Sequence, residues 1–254
     1  YMKGGQFMDF YNRGSKFYRW IVKKNMDMQT QVWFEGTPSL DIVKRISNAH
    51  LVYYPNYVVE ENIANVVSER PKDRINLCYF GRVTPEKNVD VVIKAFDMLC
   101  KKYDDVFLTI IGGSGFSKEY VKDIDAMIDN SPYKSHIVRK GLTPFAEIKE
   151  IMQSQHFFVF PSKERCEGHS NSLNEAMAQG LVPIVSDYHF NRAIVGDDRM
   201  IVDGYDPQAY ADKIIQIREN YDLKKLSIEM RDRVKTAFSY NVVNKRIYEE
   251  LKKI

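Results

Sequence analysis

Short apolar runs recur along the chain at Ile75–Phe80, Val106–Ile111, His136–Val138, His156–Phe160, Val182–Val185 and Met200–Val202. Runs of this length without polar alternation suit strands buried on both faces. Between them, positions such as Val89, Val92, Ile93, Phe96 and Leu99 follow the 3.6-residue period of a helix that buries one side. Strands alternating with helices predict an α/β fold, a Rossmann-like parallel sheet with helices on both faces, whose ligands sit at the carboxyl ends of the strands. Asp206-Pro207 supplies a cap and a first-turn proline for a further helix. Helices then continue to the end, with Phe238-Ser239-Tyr240 before the last one.

The first sixty residues follow a different pattern. Phe10, Phe17 and Ile21 share one helical face, which the spacing predicts to pack on a sheet; the neighbouring bases leave peripheral contact with anionic lipid headgroups as the rival reading. Gln31–Phe34 and Leu51–Tyr54 read as short strands, and Ser39–Ser47 as a capped helix. Two short strands and two helices do not enclose a core of their own, so this segment reads as the tail of a domain whose beginning is absent. The polar stretch from Glu60 to Arg74, with Pro71, reads as a linker.

One stretch, Phe157 to Gly180, combines strand, loop and helix. Four apolar residues end at Pro161, a polar loop holds Glu164, Glu167 and Gly168, and Ser170, Asn171 and Ser172 are good capping residues for a helix over Leu173–Gln179 that Gly180 stops. Unpaired amides and a macrodipole of roughly half a unit charge make such a helix start an anion site. Glu167 and Glu175 flank it, and carboxylates beside a phosphate suit the hydroxyls attached to it better than the phosphate itself. The plainer alternative is a capping box, in which Glu175 bonds the amide of Ser172.

Composition narrows the classes. A formal charge of +3 on 254 residues, without a cationic stripe interleaved with aromatics, argues against nucleic acid. Cys78, Cys100 and Cys166 show no metal spacing and cannot all pair, which suits a reducing, cytoplasmic location. No basic group is identifiable to activate Cys166 as a nucleophile. No apolar run reaches the roughly 18 residues of a membrane-spanning helix.

The stretch ending in Glu-Ala-Met-Ala-Gln-Gly, with Glu167 and Glu175 separated by seven residues, resembles the donor-site signature of the group 1 glycosyltransferases, which are retaining enzymes of the GT-B fold. A second motif agrees: Gly81-Arg82 followed by Pro85-Glu86-Lys87 and, in the next helix, Ala95. The resemblance covers roughly residues 50 to 254 and carries a set of expectations. Residues 1–58 would be the remnant of an N-terminal acceptor domain, 59–74 the linker, 75–238 the nucleotide-sugar donor domain, and 239–254 a helix crossing back to the first domain. Arg82 and Lys87 would stabilise the departing diphosphate together with the amides of Gly168, His169, Ser170, Asn171 and Ser172. Glu167 would hold the donor sugar and Glu175 the ribose hydroxyls. Gly81 would allow close backbone approach, Val138 and Arg139 would lie against the nucleobase, and His169 would donate to a phosphate or sugar oxygen.

By the same resemblance the donor is a UDP or GDP sugar, neither metal nor other cofactor is needed, and the acceptor is a glycan or lipid-linked hydroxyl of bacterial cell-envelope synthesis, at the inner face of the cytoplasmic membrane. Since the acceptor-domain loops should precede Tyr1, the isolated chain is expected to lack turnover. Two rivals share the same pattern: a non-catalytic nucleotide-sugar-binding module, and another GT-B enzyme such as a sugar-nucleotide epimerase.

Overall fold

The structure, a computed structural model, describes residues 10–37, 43–115, 117–163 and 168–253. Helix α1 (Lys16–Asp27) leads to two short parallel strands, β1 (Gln31–Phe34) and β2 (His50–Tyr53), with Gln31 opposite His50 and Phe34 opposite Tyr53. The larger part follows as β3 (Ile75–Phe80), α2 (Val89–Cys100), β4 (Val106–Ile111), α3 (Lys118–Asn130), β5 (Ile137–Lys140), α4 (Phe145–Met152), β6 (Phe157–Phe160), α5 (Asn171–Ala178), β7 (Val182–Ser186), α6 (His189–Val195) and β8 (Ile201–Val202). Three helices close the chain: α7 (Pro207–Asn220), α8 (Leu223–Ala237) and α9 (Tyr240–Leu251).

Strands β3 to β8 form one parallel sheet in the order β5-β4-β3-β6-β7-β8. Strand order reverses between β3 and β6, and a crevice opens at the carboxyl ends of strands where such a reversal occurs. The centre of the sheet is buried throughout, every residue of β3, β6 and β7 included, and is apolar but for Asn76 and Ser186. Tyr79 lies parallel to Phe158 and Phe160 with ring centroids 6.5 Å apart in both pairs. Val89, Val92, Ile93, Phe96 and Leu99 of α2 are fully buried, and each such side chain contributes about 1.5–3 kcal/mol relative to exposure. Helix α2 packs beside α7, and α5 beside α8. The edge strand β5 runs further than its apolar residues predict, to Lys140, because an edge strand accepts polar residues such as Arg139 where a central one does not.

The stretch 59–74 is fastened to α5 and α8, which flank the large sheet. The Ala64 amide donates to the Ala178 carbonyl at 3.0 Å, Gln179 Nε2 to the Asn62 carbonyl at 2.6 Å, and Arg231 to the carbonyls of Ala64 and Asn65 at 2.8 Å each. Just before it, Val58 meets the chain between α8 and α9. Its amide donates to Phe238 and its carbonyl accepts from Tyr240, both at 2.9 Å. Helix α9 lies beside the small sheet, where Gln31 Nε2 donates to the Glu250 carbonyl at 2.8 Å and His50 pairs with the Glu250 carboxylate at 2.6 Å.

The face of Phe10, Phe17 and Ile21 differs from expectation, because all three are exposed rather than packed on a sheet. The small core, Met26, Val32, Phe34 and Val43, takes Val22 and Met26 from the chain that contains α1, and Phe17 stacks on Trp20 outside it. Of the helix expected over Ser39–Ser47, residues 39–42 lie outside the described residues, and the rest ends in a turn, the Ile46 and Ser47 amides donating to the Val43 carbonyl at 2.8 and 3.0 Å.

Candidate functional site

Two loops meet at the carboxyl edge where β3 and β6 run side by side, with Leu77 opposite Phe157. Gly81 leaves β3 with φ 146°, a conformation L side chains rarely adopt. A Cβ there would sit 3.8 Å from Ser172 Oγ, so the Gly81 backbone lies against the first turn of α5. Gly112 is tighter still: φ is 140°, and a Cβ would come within 1.8 Å of the Gly81 carbonyl oxygen. The Gly81 amide donates to Ile111 at 3.0 Å and the Val83 amide to Gly113 at 2.9 Å, lacing the two glycine turns together. Arg82 is exposed; its carbonyl accepts from the Tyr79 hydroxyl at 2.6 Å, and its stem passes beside Gly115.

Lys87 ends a 3₁₀ turn, Pro85–Lys87. The following Asn88 takes the left-handed conformation, φ 49°, and its Nδ2 donates to the Pro161 carbonyl at 2.8 Å. The Lys163 amide donates to Glu86 at 2.8 Å, and Ser186 Oγ to the Ser162 carbonyl at 2.6 Å. These bonds fold the loop after β6 onto the loop after β3 and bury Lys87, which is 3% exposed. Its Nζ lies 3.4 Å from Ser162 Oγ and 5.0 Å from the centre of the Phe160 ring. A ring face partly offsets the desolvation of an ammonium, so a positive charge is held at the switch point.

Helix α5 begins with Ser170 as its cap, Oγ accepting from the Leu173 amide at 3.4 Å. The cap therefore lies two residues before Ser172, and the capping box between Ser172 and Glu175 does not form. The Glu175 carboxyl has no hydrogen-bond partner among the described residues. It follows Ser172 by three positions, on the same helical face, and helical side chains tilt toward the amino end. This aims the acid toward the edge that Gly81 occupies. Burial alone pushes its carboxyl from 4.5 up to about 7.

The other expected residues fall in several places. Gly168, His169 and Ser170 are buried, Asn171 is exposed, and Ser172 is half-buried. The ring of His169 is buried: it packs edge-on against Phe238 with centroids 4.8 Å apart, its Nε2 has no hydrogen-bond partner among the described residues, and burial pulls its pKa down to about 4. Its carbonyl accepts from Asn56 Nδ2 at 2.8 Å, while Asn174 Nδ2 donates to the Asn56 carbonyl at 3.2 Å. Val138 is half-exposed on the edge strand. Arg139 turns its guanidinium inward, donating to the Gly112 carbonyl at 2.9 Å and to its neighbour Lys140, so it braces the glycine turn. Glu164, Cys166 and Glu167 lie outside the described residues.

Sequence reasoning passed over four residues at this edge. Ser162 touches Lys87, and Asn56 and Asn174 tie the small sheet to α5. Glu35 is a buried acid directly after β1; a Cβ on the adjacent Gly36 would stand 2.8 Å from the Gly168 carbonyl oxygen. A carboxylate closing an apolar strand was the available signal for Glu35.

The fold and this edge define a doubly wound α/β domain whose switch point is lined by glycine and held positive by Lys87. The chain belongs to the group 1 glycosyltransferase family: the family described as "Glycosyl transferases group 1" matches residues 59–237. An uncharacterised glycosyltransferase of Methanocaldococcus jannaschii is 27% identical over 198 residues, 74% of this chain and 46% of the relative. Among solved structures, sucrose-phosphate synthase from Thermosynechococcus elongatus superposes with a TM-score of 0.76 at 17% identity, over 95% of this chain and 62% of that one. HepE from Anabaena, solved with UDP and glucose, gives 0.74 at 15%, over 96% and 68%. The fold is thus that of the GT-B glycosyltransferases, and the chain spans about half the length of the curated relatives it matches. Among the described residues no cluster of three or more His, Cys, Asp or Glu is gathered for a metal, and no helix is long and apolar enough to cross a membrane.

Proposed function

We propose that this chain supplies the donor half of a glycosyltransferase: it binds a nucleoside diphosphate sugar at the edge shared by β3, β6 and α5, and the protein moves a hexosyl unit to an acceptor hydroxyl with retention. What supports this reading is that Lys87 is buried against Ser162 at the end of β6, that the Gly81 backbone lies against Ser172 in the first turn of α5, and that α5 also carries Glu175, a half-buried acid without a side-chain partner among the described residues. Gly81 keeps a side chain off the first turn of α5, so a diphosphate approaches the amides there directly.

The roles follow from charge. Departure of the diphosphate builds negative charge, which Lys87, Arg82 and the amides from Gly168 to Ser172 stabilise in place; preorganised donors of this kind contribute several kcal/mol. Glu175 accepts from the ribose hydroxyls, and Glu167, in the segment leading into Gly168, holds the sugar. Val138, Arg139 and the turn beyond them border the nucleobase. UDP is preferred to GDP because the HepE relative was solved with UDP and glucose. The acceptor is a glycan or a lipid-linked saccharide, offered from the side of the small sheet, where Gly36 abuts Gly168.

The test is chemical denaturation with and without UDP-glucose, UDP-N-acetylglucosamine and GDP-mannose. A donor at 100 times its dissociation constant adds about 2.7 kcal/mol. If no UDP or GDP sugar stabilises the chain, the reading fails. Sugar transfer by a protein containing this chain, lost on Lys87→Met, separates an enzyme from a pure binding module.

A further inference from the structure

A cleft of about 580 Å³ opens at the opposite, amino-terminal edge of the large sheet, below the starts of β3 and β6. We propose that it is a second ligand site, which takes a small phosphate-bearing anion between the guanidinium groups of Arg70, Arg74 and Arg218. The donor edge lies at the carboxyl ends of the same strands, so the two sites are separated by the thickness of the sheet along its strands.

The cations here are poorly compensated. Arg70 is largely buried; it donates to Ser227 Oγ and to the Gln179 carbonyl, both at 3.0 Å, and its Nε has no partner. Its acceptors are neutral, so the buried charge itself is unmatched, and burial lowers its pKa to about 10. Arg218 rests over the Tyr103 ring at 4.9 Å and Arg74 over the Phe107 ring at 5.5 Å. Ring faces hold guanidinium planes in fixed positions without neutralising them. Arg74 has one ion pair, to Asp73 at 3.6 Å with both groups well exposed, an interaction of little strength.

Each acid of the cleft has a partner of its own. Glu69 pairs with Lys224, Glu219 accepts from the Tyr103 hydroxyl at 2.9 Å, and Asp222 caps α8 through the amides of Lys224 and Lys225. At the floor, His156 is fully bonded. Its Nδ1 accepts from the Asn76 amide at 3.0 Å, and its Nε2 lies 2.8 Å from the Pro71 carbonyl. This neutral ring acts as a rigid base, and burial keeps it from adding charge. What remains is a cavity large enough for a phosphorylated metabolite, whose lining sets five cations, Arg70, Lys72, Arg74, Arg218 and Lys224, against three carboxylates, with three planar guanidinium groups shaped to hold an oxyanion.

Inorganic pyrophosphate is the probe, titrated calorimetrically at constant ionic strength into the chain carrying Lys87→Met, which disables the donor edge. One binding event is expected. Adding Arg74→Gln and Arg218→Gln should weaken it about tenfold per guanidinium, roughly a hundredfold together; each single variant gives its own step, and both side chains sit over surface rings, so circular dichroism should be unchanged. Arg70 is left intact because it ties α5 to α8. No binding in the Lys87→Met chain, or binding that survives loss of both arginines, overturns the proposal. Pyrophosphate binding to the unsubstituted chain that vanishes with Lys87→Met alone assigns the anion to the donor edge and overturns it too. A chain that binds no nucleotide sugar yet passes this test would leave the cleft standing while the donor reading falls.

Discussion

Glu175 gives the donor reading a pH signature. Burial raises its carboxyl from 4.5 to about 7 in the empty chain. Hydroxyls donating to it favour the ionised form, so a bound nucleotide sugar should return the pKa toward its ordinary range and release a proton. With a free pKa near 7 and a bound one near 4.5, the chain at pH 8 is almost entirely ready to bind, whereas at pH 6 it must first lose a proton. The ratio of the two affinities is about tenfold. Nucleotide sugars suit the experiment because their diphosphate is esterified at both ends and does not titrate in this window. His169 and His156, both held at about 4, do not interfere. Isothermal titration at pH 6 and pH 8, in two buffers of different ionisation heat, measures both affinity and protons released. Glu175→Gln should bind more weakly at pH 8 and lose the pH dependence. Affinity that is flat from pH 6 to 8, or a slope that survives Glu175→Gln, would refute the assignment of this acid to the ribose.

The same group makes a stability prediction. Folding favours the neutral acid, so its contribution is full below about pH 4.5 and lost as pH rises through about 7. Glu175→Gln should therefore gain up to about 2–3 kcal/mol on the parent between pH 4 and pH 8 in urea titrations without ligand; a constant difference would show that the carboxyl titrates normally. Gly112→Ala should destabilise by about 2–5 kcal/mol, since its Cβ collides with the Gly81 carbonyl and its φ is positive, and a denaturation midpoint near the parent's would mean that the two turns separate easily. Ser170→Ala removes the cap of α5 and should cost about 1 kcal/mol of stability, together with a loss of donor affinity that calorimetry can read. Lys87→Met keeps the buried stem and removes the charge; sugar transfer should fall about 10²–10³-fold, and an unchanged rate would exclude the lysine from leaving-group stabilisation.

Much of this was legible in the chain itself. Central strands such as Ile75–Phe80 and Val106–Ile111 show as mainly apolar runs, broken once each by Asn76 and Thr109, because most of their positions are buried, and both match the observed bounds. The edge strand was displaced because Arg139 and Lys140 look like a turn, although one open face tolerates them. Near the site, the positions of Gly81, Lys87 and Ser170 follow from local sequence, whereas the fate of His169 does not. Its burial depends on Phe238, which reaches it only after the chain has built two more strands and four helices. The exposed aromatic face of α1 shows the same limit: periodicity identifies a face, but what covers it is decided by tertiary partners. The cleft around Arg70 and Arg218 is assembled from residues far apart in the chain, which no window of sequence brings together.

The polypeptide passes between its two sheets twice, and the passages are bonded to each other at Val58. The Glu60 carboxylate, accepting from the Asn241 amide at 2.8 Å, and the Tyr57 ring against Tyr240 reinforce that rung, so this short stretch would be the axis of any swing of one sheet against the other. Asn56 stands two residues from the axis with its grip on His169 and Asn174, and a swing would strain those two bonds early, so the order of the helix that begins the donor edge is mechanically linked to the angle between the sheets.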